Sequence, residues 1–316
     1  MKIVFCGTPQ FAVPTLEALL AAGHSIPLVV SQPDRPVGRD RTLTAPPVKQ
    51  CALAHGIEVT QPEKIKRNEE FRAQLESAAP DAIVVVAYGR IIPLWMLALP
   101  RFGCINLHAS LLPKYRGAAP IQWAVAMGDA VTGNTTMLLE EGLDTGPILL
   151  QQTVEIAPTE TAASLFLSLA AKGAPLVVET LAGLATGMLK PRAQNHAGAT
   201  FAPILDREDG RMDFAARTAH ELSNRWRGFQ PWPGAFTMLH GKKFIVHSLA
   251  VADASQISDP VNVEPGTLHV EQRRLFACCA GPSWLELLEV QLEGKKRMTA
   301  SDFLSGAQLS ANARLG

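Results

Sequence analysis

The sequence predicts an α/β protein in which a doubly wound, mostly parallel sheet is followed by a small β-barrel. Over roughly the first two thirds of the chain, continuously apolar strand-length runs alternate with helix-length stretches, which is typical of a parallel sheet covered on both faces. Beyond about residue 190, shorter strands separated by turn residues favour a small barrel. At 316 residues the chain is long enough for two domains.

The elements of the first part follow in order along the chain. Residues 2–7 (KIVFCG) form a strand that ends at a glycine turn, and residues 11–22 repeat apolar side chains at helical spacing until Gly23 ends the helix. Further strands are predicted at 26–31, 57–60, 82–87, 104–108, 135–139 and 148–156, and helices at 47–55 and 69–79. A long amphipathic helix is predicted at 161–187, with an interruption near Gly173 and Pro175.

The second part begins after residues 190–205, which are rich in small and polar residues and are typical of a linker. A helix is predicted at 213–229, and the segment PWPGAF follows it. Short strands are predicted at 243–249, 266–269, 275–280 and 284–291. The chain therefore divides into a first domain at 1–189, a linker at 190–205 and a second domain at 206–316.

The composition is that of an ordinary globular protein. Apolar residues make up 47% and charged residues 18%, and 29 basic residues balance 29 acidic ones, so bulk charge gives no support for binding nucleic acid or membrane.

The five cysteines show no C-x-x-C pair and no metal-ligand spacing, so we expect buried free thiols. The N-terminus lacks the apolar core of a signal peptide and no apolar run approaches the roughly 18 residues of a membrane helix, so we expect a cytoplasmic protein.

Two segments concentrate the polar chemistry: GCINLHASLLPKYRG at 103–117 and GLDTG at 142–146. Asn106 and His108 lie two apart in a predicted strand, so their side chains point to the same face. Asp144, flanked by two glycines in the second segment, suits a loop that brings a carboxylate close to a ligand. An amide, an imidazole and a carboxylate can together polarise a carbonyl and move a proton. Spacing alone, however, favours the simpler interpretation of satisfied polar groups at a strand end and in a turn.

Three polar segments follow predicted strands: Gly7-Thr8-Pro9, Tyr88-Gly89 and residues 106–110. Because doubly wound sheets bind ligands beyond the carboxyl ends of their strands, we expect these segments to converge on one cleft. The first turn lacks the G-x-G-x-x-G fingerprint, since a proline stands where the second glycine is needed. A dinucleotide site at this turn is therefore excluded.

A polar loop at 32–47, QPDRPVGRDRTLTAPP, carries Arg35, Arg39 and Arg41. Loops longer than about 12 residues without structure of their own are uncommon in compact domains and are often functional. Guanidinium groups there could contact phosphates, and a solvated connection is the alternative. Residues 190–250 contain nine basic and five acidic residues, a local excess that supports nucleic-acid contact better than the whole chain does.

The motif INLHASLLPKYRGAAPIQWA, followed by LEEGLDTGPIL, resembles the folate-dependent formyltransferases, which move a formyl group from 10-formyltetrahydrofolate to an amine. GTPQFA at the first turn, IIPLWML after Tyr88-Gly89, and DRPVGR with PPVK around the arginine loop are similar to those family members that act on methionyl-tRNA. One position departs from that pattern, because Ile204 stands where these enzymes often have a lysine.

The resemblance implies a Rossmann-like catalytic domain at 1–189 and an OB-like domain at 206–316. It implies 10-formyltetrahydrofolate as formyl donor and initiator methionyl-tRNA as acceptor in translation initiation. Apart from the resemblance, we expect no metal, no membrane and a monomer. The implied catalytic trio is Asn106, His108 and Asp144. The residues implied in folate binding are Val86, Ala87, Tyr88, Ser110, Leu111, Leu112, Pro113 and Glu140. The residues implied in tRNA binding are Arg35, Arg39, Arg41 and Lys49.

Other functions stay open at the level of the sequence. The nearest is a formyltransferase on the same scaffold that acts on a nucleotide-linked amino sugar, because it shares the trio and the SLLPKYRG motif. Neither a glycinamide ribonucleotide formyltransferase nor a folate-binding hydrolase would explain the second domain. A catalytically silent tRNA- or folate-binding protein is disfavoured by the intact trio, and an NAD-dependent dehydrogenase by the missing glycine fingerprint.

Overall fold

A computed structural model describes residues 1–38, 41–253, 257, 263–281, 283–306, 309 and 313–316. The chain forms two compact units. The first comprises Met1–Pro120, Val131–Glu155 and Ser164–Pro203, and the second comprises Ile121–Ala130, Ile156–Ala163 and Ile204–Gly316. Most of the segment predicted as a linker thus belongs to the first unit. The domain limits at 189 and 206 stay predictions.

The first unit contains the strands that were expected from the apolar runs and several short ones besides. Its strands are β1 (Lys2–Gly7), β2 (Ser25–Val30), β3 (Arg35–Val37), β4 (Thr42–Thr44), β5 (Glu58–Thr60), β6 (Ala82–Val86), β7 (Cys104–His108), β8 (Arg116–Gly117), β9 (Val131–Leu138), β10 (Ile148–Glu155) and β11 (Phe201–Ala202). Its helices are α1 (Val13–Ala21), α2 (Pro47–Ala54), α3 (Glu69–Ala78) and α4 (Leu94–Leu97). Helices α5 (Pro120–Ala126) and α6 (Ala162–Ala185) contain residues of both units.

The main sheet has the order β10-β9-β7-β6-β1-β2-β5, which is seven strands in the described part of the chain. Strands β5, β2, β1, β6 and β7 run parallel, whereas β9 pairs antiparallel with both β7 and β10. The predicted doubly wound, mostly parallel sheet is confirmed. Its centre is dry: Ile3, Val4 and Phe5 of β1 are fully buried. Each such side chain contributes about 1.5–3 kcal/mol through removal of apolar surface from water.

Helix α6 runs unbroken through Gly173 and Pro175, so the predicted interruption is wrong. Proline removes one helical hydrogen bond, but Pro175 and the residue four positions before it, Ala171, are both exposed, so water can satisfy the freed carbonyl. Gly173 has a packing role. A Cβ atom there would lie 2.7 Å from Leu107 Cδ2 and 3.2 Å from Asn134 Nδ2, so glycine lets the helix approach the sheet closely.

The expectation that no segment approaches a membrane helix is also too strong. Helix α6 is long and apolar enough to cross a membrane by length and composition, with a mean hydropathy of 1.5 over its most apolar stretch. Half of that stretch is buried within the protein. Leu165, Leu169 and Leu181 are fully buried, as in a core helix.

The arginine loop at 32–47 contains two short strands of its own. Strands β3 and β4 pair antiparallel, with Arg35 opposite Thr44 and Pro36 opposite Leu43. Each strand has only three residues, and β3 contains Pro36, so no strand pattern is visible in the sequence. Of the basic residues of the loop, Arg35 lies in β3 and Arg41 directly precedes β4.

The second unit is built on antiparallel strands. They are β12 (Phe236–Leu239), β13 (Lys242–Ala252), β14 (Leu268–Glu271), β15 (Arg274–Cys279), β16 (Ser283–Leu292) and β17 (Met298–Thr299), accompanied by α7 (Ala219–Gly228) and α8 (Ala300–Gly306). The sheet order is β12-β13-β16-β15-β14, with β17 beside β16. The last residues connect its two edges, because Leu315 bridges to Leu239 at the end of β12 and Arg314 bridges to Thr267 directly before β14. The sheet thereby closes on itself, as the predicted OB-like barrel requires.

Helix α7 starts six residues later than predicted for 213–229. The carboxylate of Asp213 accepts the N–H groups of Ala215 and Ala216, which stabilises a turn instead of a helix. The helix then begins at a capping box, in which Thr218 and Glu221 each satisfy a backbone N–H of the other.

Candidate active site

Strand β7 carries two of the three predicted catalytic residues to the carboxyl edge of the sheet. Its register places Asn106 beside Val85 of β6 and His108 beside Thr135 of β9. The His108 side chain is 6% exposed and Asn106 is half-buried. The strand ends directly after His108, so both polar side chains lie where a parallel sheet offers a ligand cleft.

The His108 ring is held by a backbone carbonyl. Its Nε2 lies 2.9 Å from the Tyr115 carbonyl oxygen, which can only accept, so Nε2 carries the proton. Its Nδ1 lies 3.7 Å from Oδ2 of Asp144, within ion-pair distance and beyond a normal hydrogen bond. The Tyr115 carbonyl thus fixes the tautomer of His108. Nδ1 remains available to exchange a proton with a ligand or with the Asp144 carboxylate.

Asp144 is fixed through its carboxylate and its backbone. Oδ2 accepts the N–H of Gly117 at 2.8 Å, and the backbone of Asp144 is left-handed with φ +49°. Gly117 itself has φ +122°, and a Cβ atom there would lie 2.6 Å from the Ala202 carbonyl oxygen. Glycine at 117 therefore permits β8 to pair with β11 while its N–H faces the carboxylate.

Two buried residues whose contact the sequence did not indicate, Arg116 and Gln194, support the backbone at Asp144. The Gln194 side chain donates to the carbonyls of Asp144 and Gly146 at 2.8 and 2.7 Å, and it accepts from Nη2 of Arg116 at 2.7 Å. The same Arg116 nitrogen lies 3.0 Å from Nδ1 of His196. These contacts span about 50 to 80 residues of sequence, so no local pattern could have shown them.

The SLLPKYRG loop is pinned to the sheet by polar contacts. The Ser110 hydroxyl donates to the Lys114 carbonyl at 2.6 Å, and Thr135 Oγ1 donates to the Ser110 carbonyl at 2.6 Å. The Gln151 side chain donates to the Leu112 carbonyl at 2.9 Å. Of the residues expected to bind folate in this loop, Ser110 and Leu112 are buried, while Leu111 and Pro113 are half-buried.

The other residues expected at the folate site lie after β6 and β9. Val86 and Tyr88 are buried, whereas Ala87 and Glu140 are exposed. The Tyr88 carbonyl accepts from Thr8 Oγ1 at 3.1 Å and from Gln32 Nε2 at 3.2 Å, so two of the turns expected to converge do meet. Burial raises the pKa of the Tyr88 phenol well above its usual value.

The basic residues of the arginine loop differ in their surroundings. Arg35 and Arg41 are exposed, and Arg39 lies outside the described residues. Lys49 is engaged: its ammonium contacts both carboxylate oxygens of Asp34, at 2.9 and 2.8 Å, and Oε1 of Gln61 at 2.7 Å. The hydrogen bonds from Lys49 and Gln61 lower the pKa of Asp34. The three N–H donors of the ammonium thus meet three acceptor atoms, on Asp34 and Gln61, and Lys49 stabilises the base of the loop.

Among the described residues, no group of three or more His, Cys, Asp or Glu side chains is arranged to hold a metal ion. The three predicted catalytic groups are an amide and an imidazole on β7 and a carboxylate in the loop between β9 and β10. Such a group can stabilise a developing oxyanion and relay a proton.

Comparison with known proteins decides the family. The family model described as "Formyl transferase" matches residues 1–181, and the model described as "Formyl transferase, C-terminal domain" matches residues 204–308. The chain belongs to the formyl transferase family. The family expected from the sequence motifs is confirmed, and with it an enzyme of the formyltransferase class.

Relatives within the family are similar over their full length. The chain is 65% identical over 316 residues to methionyl-tRNA formyltransferase of Acidobacterium capsulatum, covering 100% of both chains. It is 57% identical to methionyl-tRNA formyltransferase of Koribacter versatilis, covering 100% of this chain and 99% of the relative.

Solved structures confirm the fold at low identity. The N-formyltransferase of Helicobacter canadensis, in complex with folinic acid and dTDP-3-aminofucose, has a TM-score of 0.64 at 16% identity, covering 91% of this chain and 98% of that one. A sugar 3N-formyl transferase solved with dTDP and 5-N-formyl-THF has a TM-score of 0.63 at 15% identity, covering 94% and 99%. At such identities the likeness concerns the fold alone.

Proposed function

We propose that this chain transfers the formyl group of 10-formyltetrahydrofolate to the free amino group of initiator methionyl-tRNA, giving N-formylmethionyl-tRNA for translation initiation. The observation that carries the proposal is full-length identity of 65% and 57% to two methionyl-tRNA formyltransferases. Solved complexes of family members with folinic acid and 5-N-formyl-THF support a folate-type donor. As part of the proposal, the enzyme is a cytoplasmic monomer, as expected from the sequence.

In the proposed reaction, the amine nitrogen of methionyl-tRNA attacks the formyl carbon and forms a tetrahedral intermediate. The bond from that carbon to N10 of the folate then breaks, and the proton lost by the amine ends on N10. Asn106 and protonated His108 donate to the oxygen on which negative charge develops. Stabilisation aimed at charge that appears only along the reaction accelerates the chemical step.

The observed geometry supports separate roles for the two ring nitrogens of His108. Nε2 is committed to the Tyr115 carbonyl at 2.9 Å, so it orients the ring. Nδ1 is the nitrogen free to donate to the oxyanion or to pass a proton. Asp144, whose Oδ2 lies 3.7 Å from Nδ1, can accept the amine proton, directly or through water.

The folate donor would lie against the SLLPKYRG loop and the turn after β6. Ser110 is fully buried and its hydroxyl donates to the Lys114 carbonyl, so we propose that it stabilises the conformation of the loop. We propose that Leu111 and Pro113 contact the folate. Val86, Ala87 and Tyr88 form the opposing turn, and Glu140 begins the segment that leads to Asp144.

For tRNA, we assign phosphate contacts to Arg35, Arg39 and Arg41. Lys49 holds the base of their loop through Asp34 and acts on tRNA indirectly. This revises the role expected from the sequence, because an ammonium with three partners has no donor left for a phosphate. Ile204 is 78% exposed and adds no charge at the start of the second unit.

The proposal is tested by offering the purified enzyme 10-formyltetrahydrofolate with three acceptors: methionyl-tRNA, a dTDP-linked amino sugar and water. We expect formyl transfer to methionyl-tRNA only. Structural neighbours solved with dTDP-3-aminofucose and with dTDP make the amino sugar the second candidate. Transfer to it would retain the catalytic assignment while refuting the assignment of the arginine loop. Release of formate with neither acceptor formylated would refute both.

A further inference from the structure

Both groups that contact the His108 ring belong to residues with left-handed backbone. Tyr115, which supplies the carbonyl, has φ +61°, and Asp144, which supplies the carboxylate, has φ +49°. Residues other than glycine adopt this conformation at a cost, and it persists where surrounding contacts enforce it. Something must therefore hold these two backbones in place.

For Asp144, the support is the Gln194 side chain. Its amide group donates to the carbonyls of Asp144 and Gly146, on either side of Thr145, and its oxygen accepts from Arg116. Gln194 is 6% exposed, so these bonds are shielded from water. Both N–H donors and the carbonyl of the amide are used, which fixes its orientation and clamps the GLDTG turn from behind.

For Tyr115, the support is Thr200. Its hydroxyl accepts the N–H of Tyr115 at 2.9 Å, and its carbonyl accepts the N–H of Arg116 at 2.9 Å. The Thr200 N–H donates in turn to the Pro113 carbonyl at 3.3 Å. The end of the SLLPKYRG loop is thus bound along its backbone by the segment that the sequence presented as a linker.

We propose that Gln194 is a positioning residue for formyl transfer, assisted by Thr200. Gln194 holds the left-handed Asp144 so that its carboxylate faces Nδ1 of His108, and Thr200 holds Tyr115 so that its carbonyl receives Nε2. Gln194 and Thr200 therefore support the active site from behind. This inference rests on the proposed function, since the rate that it concerns is that of formyl transfer.

The first test is Gln194→Met, which keeps similar volume and removes both donors. Displacement of a catalytic group by a fraction of an ångström to 1 Å costs up to about 10²-fold, so we expect kcat to fall about 10- to 100-fold while KM for both substrates changes less than about threefold. The control is Asn195→Ala, an exposed neighbour whose side chain accepts a local hydrogen bond from the N–H of Ala197. It should keep wild-type kcat.

A second pair of variants separates positioning from loss of folding. Thr200→Val removes the hydroxyl that accepts from Tyr115, and Thr200→Ser retains it. We expect Thr200→Val to lower kcat and Thr200→Ser to keep the wild-type kcat. The two variants should have equal melting temperatures. This pair also carries the test if Gln194→Met does not fold.

The outcomes are distinguishable. A wild-type enzyme that does not formylate methionyl-tRNA refutes the proposed function itself. With an active wild type, unchanged kcat in both Gln194→Met and Thr200→Val overturns the positioning inference, as does a rise in KM at constant kcat. Faster hydrogen exchange of the amides at 142–146 in folded Gln194→Met, together with lowered kcat, supports it.

Discussion

Gly117 connects the stability of the first unit to the geometry of its site, and Gly117→Ala tests that connection. The added Cβ atom would lie 2.6 Å from the Ala202 carbonyl oxygen, closer than Cβ atoms approach a backbone oxygen. The positive φ of +122° adds backbone strain for any residue with a Cβ atom. Relief of the clash requires β8 to move away from β11, and the N–H that holds Asp144 moves with it.

The expected magnitude follows from two contributions. A positive φ costs about 1–2 kcal/mol for a residue other than glycine, and forced overpacking costs about 1–3 kcal/mol. The sum of about 2–5 kcal/mol corresponds to a fall in melting temperature of roughly 5–15 °C for a domain of this size, measured by calorimetry. Because Asp144 loses its backbone donor, kcat should also fall, by about 10²-fold at most.

Gly56→Ala is the matched control. Gly56 also has a positive φ, +69°, but an added Cβ atom there meets nothing within 4 Å. Its melting temperature should fall by only about 2–6 °C, the share due to backbone strain, and its kcat should be that of the wild type. Equal melting temperatures for Gly117→Ala and Gly56→Ala, with full activity of both, would refute the reasoning.

Three further predictions concern catalysis, buried polarity and pH. Asn106→Ala should lower kcat by about 10²–10³-fold while the folate donor still binds, as shown by equilibrium binding; near-full turnover would contradict its role as an oxyanion donor. Tyr88→Phe should keep or raise the melting temperature, because the Tyr88 hydroxyl is buried without a hydrogen-bond partner among the described residues; a loss of about 1 kcal/mol or more would reveal a partner. Burial raises the pKa of the Cys104 and Cys279 thiols to about 12. Their protonated forms are therefore favoured in the folded state, so stability is full below about pH 8.5 and falls as pH rises towards 12, by up to about 1.4 kcal/mol per pH unit for each thiol. Melting temperatures from pH 8 to 10 should show this slope, and Cys104→Ala should flatten it.

Strand β7 illustrates what the sequence could predict. Its apolar run fixed the strand at 104–108, and the two-residue spacing then placed Asn106 and His108 on one face without any tertiary information. The barrel was predictable for a similar reason, since turn residues delimit each short strand. Its closure was not, because it depends on the last residues reaching both edges of the sheet.

Gln194 illustrates what the sequence could not predict. No periodic apolar pattern surrounds it, and its partners Asp144 and Gly146 lie 50 and 48 positions away. Helix α6 shows the opposite error: Pro175 is a helix breaker by local rules, yet its exposed position lets water replace the missing hydrogen bond. In both cases the deciding fact is where the residue lies in three dimensions.

The most direct test of the account is single-turnover formation of N-formylmethionyl-tRNA by wild type and by His108→Ala, with excess enzyme and pre-bound folate donor. The account predicts stoichiometric product from the wild type and a rate lower by at least about 10²-fold in the variant, at unchanged donor affinity. A variant that formylates methionyl-tRNA at the wild-type rate would contradict the assignment of the chemistry to the site at the end of β7.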